Sequence, residues 1–206
     1  MSLDHLVYAT PDLETTASEL EELLGVRAAP GGRHPGFGTR NRLVGLGGRS
    51  YLEIIGPDRE QEAPAGPRPF LIDTLGSPRL VGWAVAVDDI DAAVAHAREH
   101  GYDPGDPEEM SRRTPDGGLL SWRLTPPQQA GHDGLVPFLI DWAGMRHPTE
   151  SGPEVVDLVS LRGSHPDPEA VRRELAALDV RLDLDEGPNP GLTAVLRGRH
   201  GEVTLA

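Results

Sequence analysis

Two ionisable side chains sit inside apolar, strand-favouring runs of this 206-residue chain. Glu53 is the one charge in Tyr51-Leu-Glu-Ile-Ile55, and His5 lies in Leu3-Asp-His-Leu-Val-Tyr-Ala9. A carboxylate among apolar neighbours must face solvent, find a partner or bind a cation, because burying it alone is very costly. Imidazole nitrogen with carboxylate oxygen suits Zn, Fe, Ni or Mn, and adjacent strands of one sheet can aim both into one cavity. The same two residues can instead form a structural ion pair, or Glu53 can face water on an edge strand. Two ligands do not by themselves define a metal site.

A second pattern is a reversal of charge. The chain carries a net −14, from 33 acids against 19 bases, all of them arginine. Yet between Leu23 and Leu52 there is no acid, while Arg27, Arg33, Arg40, Arg42 and Arg49 all fall there. Such a stretch can focus an anionic ligand, since the planar guanidinium grips a carboxylate or phosphate at two points. It can equally pair with acids from elsewhere in an acidic protein. Arg33, His34, Arg40 and Asn41, compressed between glycines and a proline, read as a binding loop. Trp83, Trp122 and Trp142 are either core or stacking walls for a conjugated ligand. His147-Pro148 and His165-Pro166 read as turns, His147 drawing interest because it follows Asp141-Trp142.

The absences exclude chemistry. Without lysine or cysteine there is no Schiff base, thiol nucleophile, thiolate metal site or disulfide. No serine sits in a Gly-x-Ser-x-Gly elbow, and no phosphate-binding glycine pattern follows a strand. The negative charge argues against nucleic acid. With no charged-then-apolar leader and no apolar run of membrane-spanning length, a soluble cytoplasmic protein without a membrane partner is expected.

The elements that must position these residues recur along the chain. Residues 3–9 read as a strand, and Thr10-Pro11 opens a helix carrying Leu13, Ala17, Leu20 and Leu24 and ending at Gly25. A Gly/Pro-rich loop at 30–38 leads to strands near 41–46 and 50–55. After a polar, proline-rich linker the opening pattern returns: a strand at 82–87, a helix capped by Asp88-Asp89, a loop, then strands near 118–125 and 135–142. A third, shorter copy runs from Val155. Repeats of this kind imply an α+β fold with helices on one face of curved sheets. The expected units are 1–57, a linker at 58–79, 80–147, and a shorter βαβββ unit at 154–206.

Asp4-His5-Leu-Val-Tyr-Ala9, Pro11-Asp-Leu-Glu14, the run Gly31 to Asn41, Tyr51-Leu-Glu-Ile-Ile55, Gly82-Trp-Ala-Val85 and Pro137-Phe-Leu-Ile-Asp-Trp142 together resemble the vicinal oxygen chelate superfamily, and within it the glyoxalase-like domain branch. The resemblance implies repeated βαβββ modules forming a cup-shaped mixed sheet, as in glyoxalases, bleomycin-resistance proteins and dioxygenases. It also implies a divalent metal that chelates two neighbouring substrate oxygens, held by the first and last strand of each module. His5 and Glu53 fall on those strands in module one. In module two Trp83 matches His5 and cannot ligate a metal, while Asp141 lies near the match to Glu53, a one-residue slip being enough to turn it to the other face.

The expectation is therefore a metal-dependent lyase, isomerase or dioxygenase acting on a small oxygenated, anionic substrate. His5, Glu53 and Asp141 would hold the metal, with His34 as an alternative third ligand, and Glu53 would also move a proton. Arg33, His34, Arg40, Asn41 and the three tryptophans would bind substrate. The alternative is a metal-free protein of the same fold that binds or sequesters a small molecule. Exchange of modules between chains would be a route to a homodimer.

Overall fold

A computed structural model of the chain describes residues 1–114, 117–127 and 131–206. Module one reads β1 (Ser2–Ala9), α1 (Leu13–Leu24), β2 (Ala29–His34), β3 (Thr39–Gly45) and β4 (Tyr51–Pro57). Module two repeats it as β5 (Arg79–Ala86), α2 (Ile90–Glu99), β6 (Glu108–Arg113), β7 (Leu119–Leu124) and β8 (Phe138–Asp141). Their strands close into a barrel in the order β1-β4-β3-β2-β6-β7-β8-β5. The first strand of each module pairs in parallel with its last, and β1 and β5 join the modules in antiparallel register. The second joint, between β2 and β6, is one pair wide: Arg33 opposite Arg113.

Side chains alternate across the barrel wall, as a strand's period of two requires. On β4, Leu52 and Ile54 join the outer core, while Ile55 belongs to the inner one and Tyr51 and Glu53 line the cavity. The outer core lies between the barrel and the helices. There α1 contributes Leu13, Ala17, Leu20 and Leu24, the apolar stripe visible in the sequence. Each buried leucine of this kind contributes about 2 kcal/mol through lost contact with water. Helix α1 begins two residues later than Thr10-Pro11 suggested: Asp12 is the N-cap, accepting from Thr15 N at 3.2 Å, and Thr10 Oγ1 instead bonds Thr16 Oγ1 at 2.7 Å.

The stretch expected to be the 30–38 loop is largely strand. β2 runs through Pro30-Gly-Gly-Arg-His34, so the polar residues after it alternate in and out of the barrel instead of forming one loop surface. The polar strand β6, Glu-Glu-Met-Ser-Arg-Arg, carries no apolar alternation and was not anticipated.

The C-terminal unit has the same element order, β9 (Asp157–His165), α3 (Pro168–Ala177), β10 (Asp183–Glu186), β11 (Gly191–Gly198) and β12 (Gly201–Leu205), but a different strand order, β10-β9-β11-β12. Its first strand pairs with its second, where the barrel modules pair first with last. This sheet packs on α1 and β5 and is tied down by Arg199 N donating to Leu24 O at 2.7 Å and Leu80 N donating to Ala206 O at 2.9 Å. Among the described residues no helix is long and apolar enough to cross a membrane.

Candidate functional site

A cavity of about 90 Å³ lies inside the barrel, and its two halves differ in chemistry. Module one supplies the polar wall: His5, His34, Thr39, Asn41, Tyr51 and Glu53. Module two supplies the apolar wall, Met110, Trp122, Leu124, Phe138, Ile140 and Trp142, together with one cation, Arg112. His5, His34, Asn41, Glu53 and Arg112 are each less than a tenth exposed.

His5 is fixed from behind. Its Nδ1 lies 2.7 Å from Asp4 Oδ1, and the other carboxylate oxygen accepts from Trp142 Nε1 at 2.9 Å and His147 Nε2 at 3.2 Å. His147 Nδ1 accepts from Thr149 N at 3.3 Å, which places its proton on Nε2. Burial pushes the Asp4 carboxyl up, but the hydrogen bonds from His147, His5 and Trp142 outweigh it and hold Asp4 well below the usual carboxylate range. An ionised Asp4 makes His5 Nδ1 the protonated nitrogen and turns the Nε2 lone pair into the cavity. Asp4 can reach this position because β1 slips register against β5 between Leu3 and His5, a bulge of the kind that re-aims side chains beside functional sites. Tyr51 stacks on the imidazole at 4.9 Å between centroids.

Glu53 is held from the other side. Asn41 Nδ2 donates to Glu53 Oε1, which leaves Oε2 facing His5 Nε2 at 3.9 Å. Asn41 in turn is oriented through Oδ1, which accepts from Gly32 N at 2.8 Å and Arg112 Nη1 at 3.2 Å. His34 Nδ1 pairs with Thr39 Oγ1 at 2.9 Å, and its Nε2 lies 3.5 Å from Asn41 Nδ2. Burial lowers the His34 pKa and Arg112 adds to the effect, against the opposing pull of Glu53, so His34 is held as a neutral acceptor. The glycines of β2 make this packing possible. A Cβ on Gly31 would stand 2.0 Å from Asn41 Oδ1, and one on Gly32 would stand 2.5 Å from Arg113 O.

Of the residues expected to bind substrate, the structure brings His34, Asn41, Trp122 and Trp142 to the cavity with His5 and Glu53. Arg33 and Arg40 lie outside, on the opposite face of the β2–β3 hairpin, beside a groove of about 380 Å³. Arg33 pairs with Glu60 and Asp58, and Arg40 and Arg42 share Glu14. Arg27 and Arg49 pair with Glu154 and Glu150, so the acid-free arginine stretch is matched by acids from elsewhere. Trp83 faces the outer core, its Nε1 donating to Leu135 O at 3.0 Å. Asp141 is turned away as well: β8 aims Phe138 and Ile140 inward, and Asp141 accepts from Ala143 N at 2.7 Å on the other face. Sequence reasoning missed Arg112, on the unanticipated β6, and the part played by His147 behind Asp4.

The expected divalent metal can be tested against the donor atoms. Registers set His5, Tyr51 and Glu53 of module one equivalent to Ala84, Phe138 and Ile140 of module two. The second half of a ligand set is thus occupied by residues without donor atoms. His34 is engaged by Thr39 and Asn41. Among the described residues no group of three His, Cys, Asp or Glu side chains is placed to hold a metal ion. His5 Nε2 and Glu53 Oε2 therefore make half of the expected site, and Asp141 does not complete it.

The chain was compared with solved structures and with protein families. A hypothetical protein from Staphylococcus aureus is 13% identical with a TM-score of 0.64, covering 99% of this chain and 98% of that one, and shows the same fold. The methylmalonyl-CoA epimerase of Mycobacterium tuberculosis is 21% identical with a TM-score of 0.44, over 68% of this chain and 86% of its own. A variant of the Streptomyces coelicolor methylmalonyl-CoA epimerase in complex with 2-nitronate-propionyl-CoA is 22% identical with a TM-score of 0.46, over 72% and 99%. No curated protein matches the chain. The glyoxalase-like domain family matches residues 3–178, which with the closed barrel of paired βαβββ modules makes the chain a member of that family, within the vicinal oxygen chelate superfamily.

Proposed function

We propose that the barrel cavity is an active site that moves a proton on a small oxygenated molecule, in the isomerase or lyase class of chemistry. The observation that carries this reading is the pair His5 Nε2 and Glu53 Oε2, 3.9 Å apart and each fixed at its far end by a buried partner. One of the two accepts the proton from carbon next to a carbonyl, the electron pair moving onto the carbonyl oxygen. That same group, now protonated, returns the proton at the oxygen or at a neighbouring carbon of the enolate, which gives isomerisation, or departure of a neighbouring group completes an elimination. Asp4 stabilises the imidazolium that forms when His5 takes the proton, and low exposure keeps competing water out.

The test is solvent exchange. Small carbonyl compounds are incubated with the protein in deuterated water and followed by proton NMR. Exchange at the carbon next to the carbonyl is expected, falling about 100-fold or more in Glu53→Gln and His5→Ala. Exchange that is unchanged in both variants would sink the reading. Binding of the same compounds without exchange would favour a metal-free binding module, for which Trp122 and Trp142, 5.4 Å apart, supply the wall.

A divalent ion at the same pair is favoured by the Asp4–His5 hydrogen bond, since metal-ligating histidines commonly give their second nitrogen to a carboxylate. Elemental mass spectrometry on tag-free protein beside His5→Ala tests it. Stoichiometric metal lost in the variant supports the ion, and equal content in both rejects it.

A further inference from the structure

We propose that Arg112 is the specificity residue of the cavity and that it selects a singly charged carboxylate carrying a planar or apolar body. The proposal deepens the proton-transfer reading of the same cavity and rests on a different residue. Arg112 is 5% exposed, on a strand that points Met110 and Arg112 into the cavity. Its hydrogen bond among the described residues runs from Nη1 to Asn41 Oδ1 at 3.2 Å, and none of their ion pairs includes it. A guanidinium presents five N–H donors in a planar fork and stays charged even when buried. Among the described residues no carboxylate lies at ion-pair distance from it, so the fork is open to direct pairing with an entering anion.

The rest of the cavity narrows the class of anion. Glu53 and Glu108 also line it, so a dianionic phosphate would meet two carboxylates for one cation, whereas a single carboxylate matches the fork of Arg112 at two points. Opposite the polar wall stand Trp122, Trp142 and Phe138, each at most 8% exposed, which suit a flat or apolar body. The Nε1 of Trp122 is buried with no hydrogen-bond partner among the described residues, an unpaired donor in the same wall. Arg112 also touches the proton-handling pair through one residue, because the Asn41 amide that accepts from Arg112 donates to Glu53. An anion drawn to Arg112 is thereby placed one amide away from Glu53.

The test uses pairs of isosteres that differ in charge: acetate with acetamide, benzoate with benzamide, phenylacetate with phenylacetamide, and inorganic phosphate alone. Binding is read from tryptophan fluorescence. At least one carboxylate is expected to bind ten-fold or more tightly than its amide and more tightly than phosphate. Arg112→Met should abolish the preference, and Arg112→Lys, which keeps the charge without the fork, should reduce it. Thermal unfolding establishes that each variant is folded. Should Arg112→Met not fold, the wild-type preference and the Arg112→Lys shift still decide. Equal binding of acid and amide, no binding of any pair, phosphate binding tighter than every carboxylate, or a preference that survives in Arg112→Met would overturn the proposal. The same pairs measured on Glu53→Gln keep the two readings apart: a carboxylate preference retained there, with no exchange chemistry in the wild type, would leave Arg112 standing and remove the proton-transfer reading.

Discussion

His147 Nε2 donates to Asp4 Oδ2 at 3.2 Å, joining the segment that follows the last barrel strand to the first strand of the chain, 143 residues away. The contact is buried on both sides, at 1% exposure each, and it stands directly behind His5. It ties the closing of the barrel to the tautomer of the imidazole that faces the cavity.

Removing that donor should therefore cost both stability and site geometry. His147→Ala deletes a hydrogen bond to a buried carboxylate and the ring contacts with Tyr51 and Trp142, so a loss of about 2–4 kcal/mol is expected from urea denaturation. His147→Gln, which can still donate, should recover part of it. A loss below about 0.5 kcal/mol would show that Asp4 does not depend on this partner.

Asp4 also predicts an acid limit. Its folded pKa is depressed, so the unfolded chain binds its proton first as pH falls. The stability it contributes is full above the ordinary aspartate range and is lost progressively below about pH 4. Unfolding free energy measured from pH 6 to pH 2 should drop steeply at the acid end, and Asp4→Asn, though weaker throughout, should have a shallower acid limb. Parallel profiles for the two proteins would contradict this.

His34 acts in a higher window. Burial lowers its folded pKa, so the unfolded chain holds the extra proton once pH falls below about 6.5. Stability should rise with pH through that region and decline below it, until the folded form is protonated too. Replacing His34 by Gln, which can still bond Thr39, should flatten the slope between about pH 5 and 7 without removing the steeper loss assigned to Asp4.

These groups were unequally legible in the sequence, for identifiable reasons. β1, β4 and β5 were readable because apolar residues run along them on both faces, one face meeting the helices and the other the cavity. β2 and β6 were not, because they close the barrel through glycine backbone and charged residues rather than apolar alternation. Gly31 and Gly32 read as loop residues, whereas they let Asn41 and Arg113 approach the strand. Arg112 was hidden for the same reason: a single cation in a polar strand looks solvated until the partner strand turns it inward. Asp141 failed by one residue of register, the smallest error that reverses a side chain. The arginine stretch left anion binding and internal pairing equally open because sequence distance says nothing about Glu14, Glu60, Glu150 and Glu154, which fold against it.

The glycine seam gives a further test. Gly31→Ala would place a methyl 2.0 Å from Asn41 Oδ1, so Asn41 must swing away or β2 must shift. A destabilisation of about 1–3 kcal/mol is expected, together with loss of the Glu53 orientation that Asn41 imposes. Gly36→Ala, at a positive-φ turn position with nothing within 4 Å of the added carbon, separates backbone strain from this clash. Gly31→Ala should impair carboxylate binding and solvent exchange, whereas Gly36→Ala should affect stability alone.

The expected metal site has donors in module one alone. His5 and Ala84 are directly opposite on neighbouring strands, and Ile140 stands in module two where Glu53 stands in module one. Ala84→His combined with Ile140→Glu should therefore supply two donors facing the two already present, on rigid strands rather than loops. Without metal the double variant should be less stable than the parent, because it buries a carboxylate in an apolar wall. Added Zn, Mn or Ni should then raise its melting temperature by more than it raises the parent's, since an ion that binds only the folded state stabilises it the more its concentration exceeds Kd. A metal response no larger than the parent's would mean that the two halves of the barrel do not converge on one point. Asymmetry in this cavity would then lie in the backbone as well as in the side chains.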